Sequence, residues 1–228
     1  MNQETTDMAR HTLIWLTDSG RHYAANHMGN QSNAALLIQN LIYNHTVPGI
    51  ICRQPAKIQS NAMILAGFSH WIQEKGCRLR TTAEFPYNTI CKSCSPFDLC
   101  ASENRGQLCQ NYPILDTIFS AADRYHIKPG LFGSTALEWV TGYPYRNPNS
   151  DLDLCLKPMP RSDLESFGYI LIQLEEQSGI RLDAEVEIAG GYGVKLKELL
   201  SSSKTVLAKG LYDVTLFERK TVFDSLLP

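Results

Sequence analysis

The chain lacks a long apolar stretch, a basic excess, a histidine pair and an internal repeat, and each absence removes a class of protein. No run approaches the roughly 18–20 consecutive apolar residues needed to cross a bilayer, so no membrane span is expected. Lys and Arg number 21 against 23 Asp and Glu, a net charge of -2. That balance lacks the basic stripe of a nucleic-acid binder. The opening residues Met1-Asn2-Gln3-Glu4-Thr5-Thr6-Asp7 are polar and acidic, unlike a secretory leader, so a cytoplasmic location is the expectation. The six histidines show no paired spacing suited to a metal. What is present is an ordinary globular composition, 228 residues with 43% hydrophobic, enough for one large domain or two small ones.

Seven cysteines in a chain without a leader point to reduced thiols. Cys91, Cys94, Cys100 and Cys109 fall close together, and Cys91-Lys92-Ser93-Cys94 has the form of half a zinc site. The second pair lacks tight spacing and no histidine pair follows. Free thiols are therefore the expected reading, with a structural zinc as the alternative.

Apolar spacing divides the chain into two domains. Residues 1–88 read as a small α+β unit, with strands at 11–16 and 50–53, a helix over Asn33–Tyr43 on Leu36, Leu37 and Leu41, and further segments at 62–68 and 78–85. Residues 89–112, rich in Cys, Ser, Asn and Pro, read as a connection. From 113 to 228 the pattern sharpens. Leu115, Ile118, Phe119 and Ala122 recur at helical spacing and stop before Pro129-Gly130. Gly130–Gly133 reads as a short strand, and Ser134 as the N-cap of a helix that Gly142 ends. Ser162-Asp163-Leu164-Glu165 has the form of a capping box, opening a helix that Gly179 ends. Ile180–Ile188 alternates, with Arg181, Asp183, Glu185 and Glu187 on one face. Val206–Lys209 and Val214–Phe217 complete the strands. The fold class expected is α+β.

The chemistry concentrates in Gly133-Ser134 and Ser150-Asp151-Leu152-Asp153-Leu154. A strand alternates with period two, so Asp151 and Asp153 share a face, roughly 6–7 Å apart along the backbone. Crowded carboxylates repel, and a divalent cation offsets that repulsion. The Gly-Ser turn offers backbone N–H groups at a helix start, which suits a phosphate. Together these parts read as a Mg²⁺-dependent nucleotidyl-transfer site, with Mn²⁺ as substitute metal. A plain solvated edge is the competing reading of the 181–187 face. Its place after the carboxylate strand and one helix favours Asp183 or Glu185 completing a metal site.

The Gly-Ser turn, helix and Asp-Leu-Asp resemble the DNA polymerase β-type nucleotidyltransferase superfamily, though the sixteen residues between Ser134 and Asp151 exceed its general pattern. The block Leu131-Phe132-Gly133-Ser134-Thr135-Ala136-Leu137-Glu138-Trp139, followed by Thr141-Gly142-Tyr143-Pro144-Tyr145 and Ser150–Leu154, is similar to a narrower family. That family is the malonate decarboxylase holo-acyl-carrier-protein synthases, or phosphoribosyl-dephospho-CoA transferases. The similarity extends to Arg10-His11, Trp15, Val47-Pro48 through Arg53, Arg78-Leu79-Arg80, Arg181–Glu185, Lys195–Glu198 and Val206–Lys209. It is weakest over Cys91–Cys109.

The resemblance implies a polymerase β-type core with a mixed sheet and flanking helices in the second domain. It implies transfer of the 2′-(5″-triphosphoribosyl)-3′-dephospho-CoA group to a serine of the apo acyl carrier subunit of malonate decarboxylase, with loss of pyrophosphate. Asp151 and Asp153 would hold Mg²⁺, with Asp183 as third carboxylate or base and Glu185 its substitute. Gly133 and Ser134 would cradle a phosphate, and Lys195 and Lys209 would neutralise others. Arg53, Arg78 and Arg80 are candidates to line the domain cleft and grip the CoA part, against ordinary surface arginines. Trp15, Trp71 and Trp139 read as core. Competing readings are a nucleotidyltransferase using ATP or GTP, a silent module that binds a carrier protein or CoA, and a zinc-dependent interaction protein.

Overall fold

Strand and helix alternate along the chain because its apolar residues switch between period two and period 3.6. The computed structural model describes residues 8–28, 33–44, 47–55, 62–74 and 77–226. The side chains of Leu36 and Leu37, expected on the buried face of a helix, lie outside the described set. The chain divides into two compact units, residues 1–95 with Tyr143–Tyr145, and residues 96–142 with 146–228.

The first unit holds β1 (Leu13–Leu16), α1 (Asp18–Asn26), α2 (Asn33–Asn44), β2 (Gly49–Ile51), β3 (Met63–Glu74), β4 (Cys77–Pro86) and β5 (Ile90–Cys94). Its strands form an antiparallel sheet in the order β4-β3-β2-β1-β5. Thr17 caps α1, its hydroxyl accepting from the Gly20 N–H at 3.2 Å. Leu13, Ile14, Ile38, Ile42, Phe68 and Phe85 make its core. Tyr143–Tyr145 belongs to this unit. Trp71 stacks on Tyr143 at 4.0 Å, and the Tyr145 hydroxyl donates to the Ser69 carbonyl at 3.0 Å. The Arg78 guanidinium donates to the Tyr145 carbonyl. Burial pushes the Tyr145 phenol up to about 12, Arg78 opposing.

The second unit runs α3 (Pro96–Leu99), α4 (Ser102–Asn111), α5 (Ile114–Arg124), β6 (Pro129–Phe132), α6 (Gly133–Thr141), β7 (Leu152–Leu156) and α7 (Arg161–Ser178). It continues with β8 (Leu182–Ile188), β9 (Tyr192–Lys195), α8 (Leu196–Leu200), β10 (Thr205–Lys209), β11 (Val214–Glu218) and α9 (Arg219–Asp224). Its sheet has the order β11-β10-β9-β8-β7-β6, and only β7 and β8 are parallel. The parallel pair needs a crossover, which α7 supplies. The α+β class and two-part layout expected from the sequence are what the structure shows. Residues 89–112 carry β5, α3 and α4, and fall partly in each unit.

The alternating strands give this sheet a dry face and a polar one. Leu152, Leu154, Leu156, Leu182, Ala184, Val186, Val194, Val206 and Ala208 are buried on the first. A fully buried leucine there contributes about 2 kcal/mol. The opposite face carries the site.

Two helix starts differ from expectation. Helix α6 begins at Gly133 with Phe132 at its cap and no side-chain cap bond, so Ser134 sits inside its first turn. Helix α7 is capped by Pro160, again without a side-chain bond, so Ser162 and Glu165 form no capping box. In both, the backbone arrives already extended, and the hydroxyl lies a residue or more too late to cap. The stops hold: Gly142 (φ 72°) and Gly179 (φ 69°) are left-handed C-caps.

Candidate active site

The site is assembled by strand register. Phe132 on β6 lies opposite Asp153 on β7, so the chain leaves β6 beside that carboxylate and turns at once into α6. Gly133 makes the turn at φ 67°. A Cβ at this position would sit 1.9 Å from Asp153 Oδ2 and 2.7 Å from its Cγ. The carboxylate therefore fills the space a side chain would need, and the positive φ also favours glycine. This contact joins the two halves of the sequence pattern, the Gly-Ser turn and the acidic strand. The first-turn N–H groups of α6 have no helical carbonyl to meet, and the helix dipole favours an anion there.

Within that turn Ser134 and Thr135 are both buried, and Thr135 Oγ1 has no hydrogen-bond partner among the described residues. Glu138, one turn further along, accepts from the Tyr112 hydroxyl at 3.0 Å and the Arg146 N–H at 2.9 Å. Burial and the Glu138 carboxylate raise the Tyr112 phenol well above its ordinary value. The chain then closes a turn, Ser150 N–H to the Asn147 carbonyl and Asn147 N–H to Ser150 Oγ, each at 2.9 Å. Asp151 follows directly, one residue before β7 begins.

Across the parallel pair, Asp153 lies opposite Asp183 and Cys155 opposite Glu185. Neighbouring strands run about 4.8 Å apart, so Asp153 and Asp183 are adjacent acids on one face. Glu185 in turn lies opposite Lys195 on β9, and Lys209 on β10 lies opposite Gly193. These residues share the polar face, and Asp183, Glu185 and Glu187 are each matched by a lysine. Lys195 Nζ is 2.7 Å from Asp183 Oδ2. Lys209 Nζ is 3.8 Å from Glu185 Oε1, and Lys157 Nζ is 2.7 Å from Glu187 Oε2. Arg181 comes within 2.6 Å of Asp151 Oδ1 but off hydrogen-bond angles, so this contact is an ion pair without a directed hydrogen bond. The Asp183 hydrogen bond raises the Lys195 ammonium above its ordinary value. Asp183 and Lys195 are about one-third exposed, whereas the Glu185 side chain is only 9% exposed.

The structure thus brings Gly133, Ser134, Asp153, Asp183, Glu185, Lys195 and Lys209 into one neighbourhood of the second unit. Asp151 stands at its edge with Arg181. Arg53 and Arg80 belong to the first unit, Arg53 in the loop after β2 and Arg80 on β4 opposite Ser69, both exposed. Arg78 is committed to Tyr145. Cys91 and Cys94 lie on β5 of the first unit, Cys100 and Cys109 in the second. Sequence reasoning places Arg181 only on a charged face and misses its pairing with Asp151. Its position two residues before Asp183 in an acidic row is the available signal.

The residues fit a divalent cation. Mg²⁺ commonly takes one or two carboxylates and completes its shell with waters and substrate phosphates. Among the described residues no group of three or more His, Cys, Asp or Glu side chains is placed to hold a metal by itself. Asp153 and Asp183, adjacent across β7 and β8, are the carboxylate pair that would hold such an ion.

The comparisons point to one class, proteins named phosphoribosyl-dephospho-CoA transferases. The family model described as the phosphoribosyl-dephospho-CoA transferase MdcG C-terminal domain matches residues 99–220, more than half of the chain. The chain belongs to this family. It is 29% identical over 111 residues to the phosphoribosyl-dephospho-CoA transferase of Xanthomonas euvesicatoria pv. vesicatoria, covering 49% of this chain and 52% of that protein. Over that alignment the chain spans about half the length of its relative. It is 25% identical over 214 residues to the enzyme of the same name from Xanthomonas axonopodis pv. citri, covering 94% of this chain and 96% of that protein. A shorter stretch of 84 residues is 37% identical to the Pseudomonas aeruginosa protein so named, covering 36% of this chain and 38% of that protein. No solved structure matches the chain. No described helix is long and apolar enough to cross a membrane.

Proposed function

We propose that this chain transfers the phosphoribosyl-dephospho-CoA part of 2′-(5″-triphosphoribosyl)-3′-dephospho-CoA to a serine of an apo acyl carrier subunit of malonate decarboxylase, releasing pyrophosphate. The observation that carries the reading is the Asp153 carboxylate against Gly133 at the start of α6, with Asp183 alongside it on β8. Family membership supports the CoA-derived substrate.

In this reading the serine oxygen attacks the α-phosphorus, the bond to the β-phosphate oxygen breaks, and pyrophosphate leaves with that electron pair. With Asp183 holding the metal, the serine proton passes to Glu185, the neighbouring acid of the row. Such a displacement needs positioning and charge neutralisation more than covalent help. The turn at Gly133-Ser134 presents first-turn N–H groups to phosphate oxygens. Asp153 and Asp183 would hold the metal, Mg²⁺ or Mn²⁺, with water and phosphate oxygens completing its shell, and Asp151, at the edge of the site with Arg181, would add negative charge beside it. When bound, that cation would supply positive charge that offsets the charge of the phosphates. Lys195 and Lys209 neutralise phosphate charge from the same face. Arg53 and Arg80 are assigned to recognition of the CoA-derived substrate.

The test is a mass measurement on the apo carrier subunit after incubation with the chain, Mg²⁺ and triphosphoribosyl-dephospho-CoA. A gain equal to the phosphoribosyl-dephospho-CoA phosphodiester is expected, and chelator abolishes it. Transfer from ATP or GTP with none from the CoA precursor overturns the substrate. Full transfer in the presence of chelator overturns the metal.

A further inference from the structure

The acids of the polar face already have cations of their own, and this bears on how the site changes when substrate arrives. Lys195 stands directly opposite Glu185 in the β8–β9 register. Its ammonium nevertheless reaches diagonally to Asp183, at 2.7 Å. Glu185 has the Lys209 ammonium at 3.8 Å. Lys195 therefore has two carboxylates within reach on β8, Asp183 and Glu185, on a flexible four-carbon stem. The pair it makes with Asp183 is part-exposed, 39% on the lysine and 32% on the aspartate. A pair of that exposure shifts an equilibrium by about fivefold at most, so a divalent competitor separates it.

Resting on the proposed function, we infer that Lys195 is a stand-in cation, holding Asp183 until a metal takes that carboxylate and then swinging to the phosphate being released. The exchange conserves charge locally. Asp183 trades one cation for another, and the freed ammonium meets a new anion instead of remaining beside a metal. Asp183 is the one acid suited to the exchange. It lies beside Asp153 in register, whereas Glu185 is nearly fully buried beside Lys209. Before exchange the ammonium also keeps the adjacent Asp153 and Asp183 carboxylates from repelling each other.

The test uses the full chain with Mn²⁺ alone, free Mn²⁺ being followed by electron paramagnetic resonance. Removing a unit charge about 5 Å from a divalent ion strengthens binding by about tenfold in a wet site. Lys195→Met is therefore expected to bind Mn²⁺ about tenfold more tightly than wild type, while Lys195→Arg binds as wild type does. In parallel, brief acetylation read by peptide mass spectrometry is expected to modify Lys195 several-fold more once Mn²⁺ saturates the wild-type chain. Unchanged or weaker Mn²⁺ binding by Lys195→Met, with wild-type binding intact and dependent on Asp153, overturns the exchange and leaves the proposed function standing. So does acetylation of Lys195 that Mn²⁺ does not alter. Mn²⁺ binding that Asp153→Asn leaves untouched overturns the metal reading, and the exchange with it.

Discussion

Substituting Gly133 by alanine separates two costs that usually arrive together. The first is conformational: at φ 67° an alanine sits in the left-handed region, at about 1 kcal/mol. Gly142 has nearly the same backbone, φ 72°, and a methyl placed there would meet nothing within 4 Å, so Gly142→Ala reports that cost alone. A loss of about 1 kcal/mol lowers Tm by about 2–4 °C in a chain of this size. The second cost is steric and belongs to Gly133 only. A methyl 1.9 Å from Asp153 Oδ2 overlaps by more than 1 Å, and the carboxylate must swing away by about as much. Misplacing a reacting group by 1 Å costs about a hundredfold in rate, near 2.7 kcal/mol in the barrier. Carrier mass shift against time, with thermal melts by circular dichroism, measures both. Gly133→Ala is expected to lose about a hundredfold in turnover and Gly142→Ala little. In an Asp153→Ala background, where the carboxyl is gone and only the Cβ remains at 3.1 Å, Gly133→Ala should lower Tm by little more than the backbone part. Turnover by Gly133→Ala within a few-fold of Gly142→Ala refutes the reasoning, because the acid would then work as well from elsewhere.

Asp151→Ala and Asp153→Ala are each expected to abolish transfer with the far-UV spectrum unchanged, and near-normal turnover by both removes the mechanism. Tyr145→Phe removes the hydroxyl bond to the Ser69 carbonyl and should cost about 1 kcal/mol at pH 8, read by urea melts. With the folded phenol at about 12 against an ordinary 10, the folded chain holds this proton more firmly. Its contribution is whole below pH 10 and fades as pH rises through 12, by at most about 2–3 kcal/mol. Wild type should therefore lose its advantage over Tyr145→Phe across pH 10–12, and parallel pH curves contradict this. Arg53→Ala and Arg80→Ala are expected to raise KM for the CoA substrate several-fold while sparing kcat, and unchanged KM in both releases them from substrate recognition.

The parts of this fold legible in the sequence were those set by local periodicity. Residues 182–188 alternate, so the β8 faces could be assigned, and Gly142 and Gly179 marked their helix ends because a left-handed C-cap demands little beyond glycine itself. Helix starts were less legible. A hydroxyl near a helix start can cap it but does not have to, and Ser134 and Ser162 both fall inside their helices. β9 and α8 escaped notice because four and five residues carry too little pattern. At the site, residue types announced the acids, but partnership is tertiary. The Lys195 bond to Asp183 follows from register between strands, which no single segment encodes. The competing solvated-edge reading of the β8 polar face fails at Glu185, which is nearly buried, since neighbouring strands on both sides cover the middle of a sheet.

The lone parallel pair in the second sheet has a kinetic consequence. Asp153 and Asp183 lie thirty residues apart and become neighbours only when β8 docks beside β7 across the α7 crossover. Closing so large a loop costs entropy before any pairing repays it, which slows such steps relative to hairpins. The acidic row is thus among the last features to assemble during refolding. Regain of Mn²⁺ binding should trail the return of helical ellipticity, and simultaneous recovery of the two signals contradicts this order.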